Sequence, residues 1–177
     1  MSIKRFNIFL IILAVIFLSY GWVWFESYHM FKQYYEQAMQ NYDNGEYIIA
    51  LKGDQVLSED QTRYIFEGGF QQAMDIWSSP YALPKPKLYW DTQEKIRTII
   101  DEKIDIEMGK EAFKKYFQLD NKYLGDILLR MGDLYIQQGN TNKAEETYTI
   151  VKDAFARDVE LLKKAEERLS ALNTSTK

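Results

Sequence analysis

The sequence predicts an all-α protein in which one membrane-spanning helix precedes a set of helical hairpins. Three observations carry this expectation. Residues 6 to 25, FNIFLIILAVIFLSYGWVWF, hold no charge. Only 3 prolines and 9 glycines punctuate 177 residues, so long uninterrupted elements are expected. Toward the C-terminus, apolar residues recur at i, i+3, i+4 and i+7, the spacing of one helix face.

The apolar run comes first. At about 1.5 Å of rise per residue it spans roughly 30 Å, the thickness of a bilayer's hydrocarbon core. Its far end carries Tyr20, Trp22, Trp24 and Tyr28, amphipathic rings of the kind that settle among headgroups. Lys4 and Arg5 precede it, whereas Glu26, His29, Lys32 and Glu36 follow without a basic cluster. The positive-inside rule then places residues 1–5 in the cytoplasm and everything after residue 25 outside, in the periplasm if the source is bacterial. A cleaved signal peptide would need a small-residue A-x-A-like site, which SYGWVWF does not supply. Cysteine is absent, so no lipid-modified cysteine replaces the span as anchor.

Residues 26–90 read as a membrane-proximal helical region. ESYHMFKQYYEQAMQNY continues the span as a helix into water, Asn44 and Gly45 end it as a left-handed stop, and EYIIALKGDQVL restarts a helix. Ser58 with Gln61 has capping-box spacing and predicts a short helix through Phe66, broken by Gly68 and Gly69 before FQQAMDIW. All the prolines, Pro80, Pro84 and Pro86, fall within residues 79–90, predicting an extended connection. Asp91 and Glu94 then repeat the capping-box spacing and predict the start of the next helix.

Within residues 91–156 small and aromatic residues alternate in a fixed frame. Leu128, Met131, Gly132 and Tyr135 share one helix face, and Ala144, Tyr148 and Val151 form the facing stripe, with Gly139 at the turn between. Gly132 and Ala144 permit two antiparallel helices to approach closely while the tyrosine rings fill the flanks. Ala112, Tyr116 and Leu119 reproduce Ala144, Tyr148 and Val151 at a period of 32 residues, and Ile96, Ile99 and Ile100 reproduce Leu128, Met131 and Gly132. Ala38, Gly45, Tyr47 and Ala50 give a partial third copy. Residues 157–177 add a helix with Val159, Leu162, Ala165, Leu169 and Leu172 on one side, suited to closing a stack.

These residues resemble the tetratricopeptide repeat, a helix-turn-helix unit of about 34 residues. The likeness covers 125–156 well, 93–122 less fully and 31–58 in part, whereas 58–90 fits no copy. It departs from the repeat in its period, in lacking the closing proline, and in placing Ile100 where a small residue is usual and Asp54 where an apolar one is. The resemblance implies a partner surface on the inner face of the first helix of each pair. That surface comprises Glu94, Arg97 and Asp101, then Asp126, Leu129 and Asp133, with Tyr35, Met39 and Tyr42 from the near-membrane copy.

Catalytic chemistry finds little material. His29 is the one histidine and reads as an interfacial aromatic; with no cysteine, a zinc site of the usual ligand types has no ligand set. DEKIDIE (Asp101, Glu102, Asp105, Glu107) lacks the glycine turn of a calcium loop and reads as a solvated face. No phosphate-binding glycine motif occurs, and a net charge of −4 without a basic face disfavours nucleic acid. No cofactor and no small-molecule substrate are expected. The expected function is therefore that of a non-catalytic scaffold or accessory subunit, partnered by membrane proteins of a larger complex and by the bilayer through residues 6–25. An alternative is a structural subunit held mainly by its span through Asn7, Ser19 and Gly21, with the repeats as a spacer. A further one follows from the layout, which is similar to the periplasmic single-span repeat protein accompanying the bacterial Sec translocon and implies a chaperone-like role.

Overall fold

The computed structural model describes residues 3–57 and 62–175. Helix accounts for 75% of the chain, and the chain divides into two compact units, Met1–Ile96 and Arg97–Lys177.

In the first unit α1 runs unbroken over Ile3–Asp43, about 60 Å at the standard helical rise. It is long and apolar enough to cross a membrane: the apolar window, of mean hydropathy 2.4, buries none of its surface within the protein. The helix ends where Gly45 takes φ +82. Gly45 N donates to Tyr42 O and Glu46 N to Asn41 O, at 3.1 and 2.9 Å, a paired closure of the last turn that requires the left-handed residue. The six-residue α2, Tyr47–Lys52, folds back on α1 with Ala50 and Leu51 buried.

Helix α2 stops earlier than the sequence suggested. Gly53 adopts φ +71, and Asp54–Leu57 (β1) pairs antiparallel with Tyr64–Glu67 (β2), Asp54 opposite Glu67 and Leu57 opposite Tyr64. Asp54–Leu57 is therefore not helical, and neither is Tyr64–Phe66; the Ser58 and Gln61 capping box lies outside the described residues. The reason is local. β-Branched and aromatic residues dominate YIF, and a helix through it would lose the side-chain freedom those residues keep in strands.

Gly68 and Gly69 do end this segment, before α3, Phe70–Ile76. Gln72 secures the junction, its Oε1 accepting from Gly69 N at 2.7 Å and its Nε2 donating to Lys52 O at 3.0 Å. α3 packs on α1 through Phe31, Ala73 and Trp77, all buried, with Trp24 and Tyr28 against the same cluster. Trp24 stacks on Tyr28 and meets Trp77 edge-on, at 5.4 and 5.6 Å between ring centroids. Two of the four rings expected among headgroups thus face protein.

Helix α4 covers Lys87–Thr98, so it begins directly after Pro86 and not at Asp91. Pro86 supplies a fixed φ and no amide donor, as a helix start tolerates, which shortens the extended connection and leaves Asp91 and Glu94 inside the helix.

In the second unit the chain passes through a π-helical turn, Ile99–Lys103, with Ile104 N bonded to Ile99 O at 3.0 Å. Ile100, the residue departing from the small-residue frame, sits in this widened turn. Four helices follow: α5 (Ile106–Tyr116), α6 (Leu124–Gln137), α7 (Thr141–Ala154) and α8 (Val159–Ser175). Asp105 caps α5 by accepting from Met108 N at 2.8 Å. α5 ends at Tyr116, so Leu119, expected to match Val151, falls in the following turn and is 83% exposed.

α6 and α7 form an antiparallel hairpin. Gly139, at φ +74, closes α6 with Asn140 N on Tyr135 O at 2.8 Å, and Asn140 Oδ1 caps α7 by accepting from Lys143 N at 3.3 Å. A Cβ on Gly132 would lie 2.2 Å from Cε1 of Tyr148, so only a residue without one lets that ring pack there. Ala112, Ala144 and Ala165 are completely buried. Ala144→Leu is expected to overpack this hairpin and destabilise it by about 1–3 kcal/mol, read as faster amide exchange in α6 and α7. Unaltered exchange would contradict the packing.

α8 keeps most of the expected stripe, with Ala165 buried and Leu162, Leu169 and Leu172 half-buried. Its first member departs: Val159 is 79% exposed and Leu161 is buried instead. Asp158 explains the shift: its carboxylate accepts from Glu160 N and Leu161 N, both at 3.1 Å, so Val159 sits in the exposed first turn. Leu161 then lies over Gly125, where a Cβ would come within 2.4 Å of it.

Candidate partner-binding groove

Asp126, Leu129, Arg130 and Asp133 follow at i, i+3, i+4 and i+7, so they share the face of α6 turned away from Tyr135. Lys164 and Arg168, one turn apart on α8, lie across from them, and Ile100 and Asp101 of the π-helical turn complete the wall. The cleft they line holds about 400 Å³. Leu129 is buried beneath it. Asp126 pairs with Lys164 and Asp133 with Arg168, in matching order along both helices, so α6 and α8 run parallel here.

Asp133 is the best-held charge. It accepts from Arg168 Nε at 2.8 Å and Nη2 at 2.9 Å, a two-pronged contact, and from the Tyr148 hydroxyl at 2.6 Å. Burial alone would raise its pKa, but the hydrogen bonds from Arg168 and Tyr148 outweigh that and hold the carboxyl below the ordinary aspartate value. Burial, followed by the bond to Asp133, pushes the Tyr148 hydroxyl well up, so it remains a donor. Asp126 goes the other way. Its burial raises the pKa, and Lys164, 3.4 Å away and also bound to Glu160 at 2.7 Å, offsets this only in part.

Arg130 differs from the other cations. Its Nε is buried with no hydrogen-bond acceptor among the described residues. An unmatched buried donor costs free energy that a ligand carbonyl or carboxylate would recover.

Of the nine sequence-derived contact residues, Asp101, Asp126, Leu129 and Asp133 line this one cleft. Arg97 belongs to the same unit but does not line it, and Glu94 is an exposed residue of the first unit. Tyr35 and Tyr42 pack their rings on Phe70, with centroids 5.7 and 6.4 Å away, and Lys95 Nζ sits 4.2 Å over Tyr42. Burial, then Asp91 and Asp43, raises the Tyr35 hydroxyl's pKa. Met39 is half-buried beside them on α1. All three are half-buried within the first unit.

Arg130, Lys164 and Arg168 were not among the expected residues. The spacing of Arg130 between two aspartates on one helix face was visible. What Lys164 and Arg168 would meet was not, because it depends on α8 lying along α6.

No protein-family model, curated protein or solved structure matches this chain. The groove and the span must therefore be read on their own chemistry. Three carboxylates and three cations over a leucine floor suit a peptide, which presents amides, charged ends and apolar side chains together.

Proposed function

We propose that the protein is a single-span membrane scaffold or accessory subunit that holds a protein partner in the groove of its helical second unit. In this reading the N-terminus is cytoplasmic and the units lie on the extracytoplasmic side, in a tetratricopeptide-like arrangement. The buried Ala112 and Ala144, the glycine-permitted contact of α6 with α7 and the parallel course of α6 and α8 support the repeat reading. The groove with its acceptor-less Arg130 Nε carries the binding reading. The mechanism is confinement: a span fixes the groove beside the membrane, so a weak contact suffices at raised effective concentration.

A photo-crosslinking side chain at Asp101 in the full chain, in intact membranes, tests this. It is expected to capture a defined membrane protein, and Arg130→Glu should cut the yield by about tenfold, the loss of roughly one charged hydrogen bond. Equal capture by that variant, or capture only from Gly21, would instead favour a subunit held by its span.

A further inference from the structure

The connection between α3 and α4 is fastened to the outer end of the apolar stretch of α1. The Tyr20 hydroxyl donates to Leu83 O, lies 3.2 Å from Tyr81 O, and accepts from Leu83 N at 3.1 Å. Trp24 Nε1 donates to Pro84 O at 2.9 Å. Tyr20 lies five residues before Phe25, where the uncharged run ends, so its Cα is about 8 Å inside that end. Helical side chains lean toward the N-terminus, which carries the attached loop no nearer to water.

The loop is also chemically prepared for a place with little water. Pro80 and Pro84 have no amide proton to leave unbonded. Tyr81 N and Ala82 N donate to Ser79 Oγ and Ser79 O at 3.3 and 3.2 Å. With Leu83 N on Tyr20, each amide proton from residue 80 to residue 84 has an acceptor within the protein. Side chains point the other way: Tyr81 is 85% and Leu83 56% exposed. Between loop and helix lies a mainly apolar cleft of about 220 Å³, walled by Val23, Trp24 and Trp77.

We propose that the loop Pro80–Pro84 is a second membrane contact, seating Tyr81 and Leu83 at the headgroup–acyl boundary of the outer leaflet beside the span. The occupant of this apolar surface is lipid, because the surface is continuous with the helix face that the same bilayer covers. The inference rests on the membrane-spanning reading of α1. Exposed apolar side chains on a loop with satisfied amides are stable at that depth, whereas free amide groups there would be costly. The loop also fixes how far α1 emerges, since it is bonded at both Tyr20 and Trp24.

The chain has no cysteine, so a single introduced one takes a nitroxide label uniquely. Three full-chain variants, Tyr81→Cys, Val15→Cys and Leu119→Cys, are reconstituted in phosphatidylcholine vesicles, and collision with oxygen is compared with collision with a water-soluble nickel chelate. Val15→Cys should report deep hydrocarbon and Leu119→Cys water. Tyr81→Cys should show an oxygen preference between the two, and Tyr20→Phe in that background should raise both label mobility and chelate access. A water-like Tyr81→Cys with a lipid-like Val15→Cys overturns the loop contact and leaves the span intact. A water-like Val15→Cys overturns both. A label at position 81 immobilised and shielded from both colliders means that protein covers the loop, and overturns the lipid assignment.

Discussion

Replacing Gly69 by alanine is expected to cost the first unit about 3 kcal/mol, at the upper end of the range for overpacking. The backbone angles are not the reason, because φ −99 and ψ −176 suit any residue. The reason is that an added Cβ would lie 2.5 Å from Gly53 N, 2.7 Å from Leu51 O and 2.8 Å from Ala50 O. All three are backbone atoms, so no rotamer change relieves the contact. Gly53 faces the same crossing, where a Cβ would fall 2.5 Å from Glu67 O, and its φ of +71 adds a second requirement for glycine. α2, the strand pair and α3 meet at this point, and a displaced backbone there also pulls Gln72 from Gly69 N and Lys52 O. Hydrogen exchange of Tyr47–Lys52 and Phe70–Ile76 in the full chain reads the effect. Gly21→Ala is the control, with nothing within 4 Å of its Cβ and no expected loss. Similar exchange in the two variants would refute the crossing.

The same crossing shows where sequence reading failed. The Gly68–Gly69 break is legible as punctuation, but its purpose depends on Gly53, sixteen positions earlier, and no local pattern joins the two. The strands were missed for a related reason. Each has four residues and no clean alternation, since Tyr64, Ile65 and Phe66 are all exposed. Periodicity reports burial on one side, so it is silent for β2, where Tyr64, Ile65 and Phe66 are all exposed. The helical elements were legible where one face is buried over several turns: α6 and α7 through Leu128, Gly132, Ala144 and Tyr148. The breaks at Gly45 and Gly139 were legible as glycines, and both take the left-handed angles that such positions need. In the groove, the spacing on α6 placed Asp126, Leu129 and Asp133 together. Their partners on α8 come from tertiary placement, and at the start of that helix the Asp158 cap leaves Val159 exposed and Leu161 buried.

Asp133→Asn should produce the second large effect, about 2 kcal/mol of destabilisation in the second unit together with a changed acid response. Breaking a fully buried ion pair costs about 3–5 kcal/mol; with both side chains here one third exposed, solvent screening reduces it. The substitution leaves Arg168 without its two-pronged acceptor, while the Tyr148 hydroxyl can still donate to the amide oxygen. Tyr148→Phe keeps the Arg168 contact and should cost about 1.5 kcal/mol, the lower end of the range for one hydrogen bond to a charged group. The pH dependence separates this network from plain packing. The folded-state pKa of Asp133 is lowered, so its contribution is complete above the unfolded value of about 3.9 and is lost as the pH falls through that value toward the folded one. Asp126 has the opposite sign: with a raised folded-state pKa, its ionisation costs stability, and protonation on acidification restores some. The native protein sums a loss from Asp133 and a gain from Asp126 on acidification. Removing the Asp133 term should leave a second unit that is weaker at neutral pH yet less sensitive to acid. Amide exchange of α6, α7 and α8 measured at neutral pH and near pH 3 reads both parts. A variant with the native acid slope would show that the Arg168 and Tyr148 contacts do not hold Asp133 ionised, and the account of the groove's charge balance would fail with it.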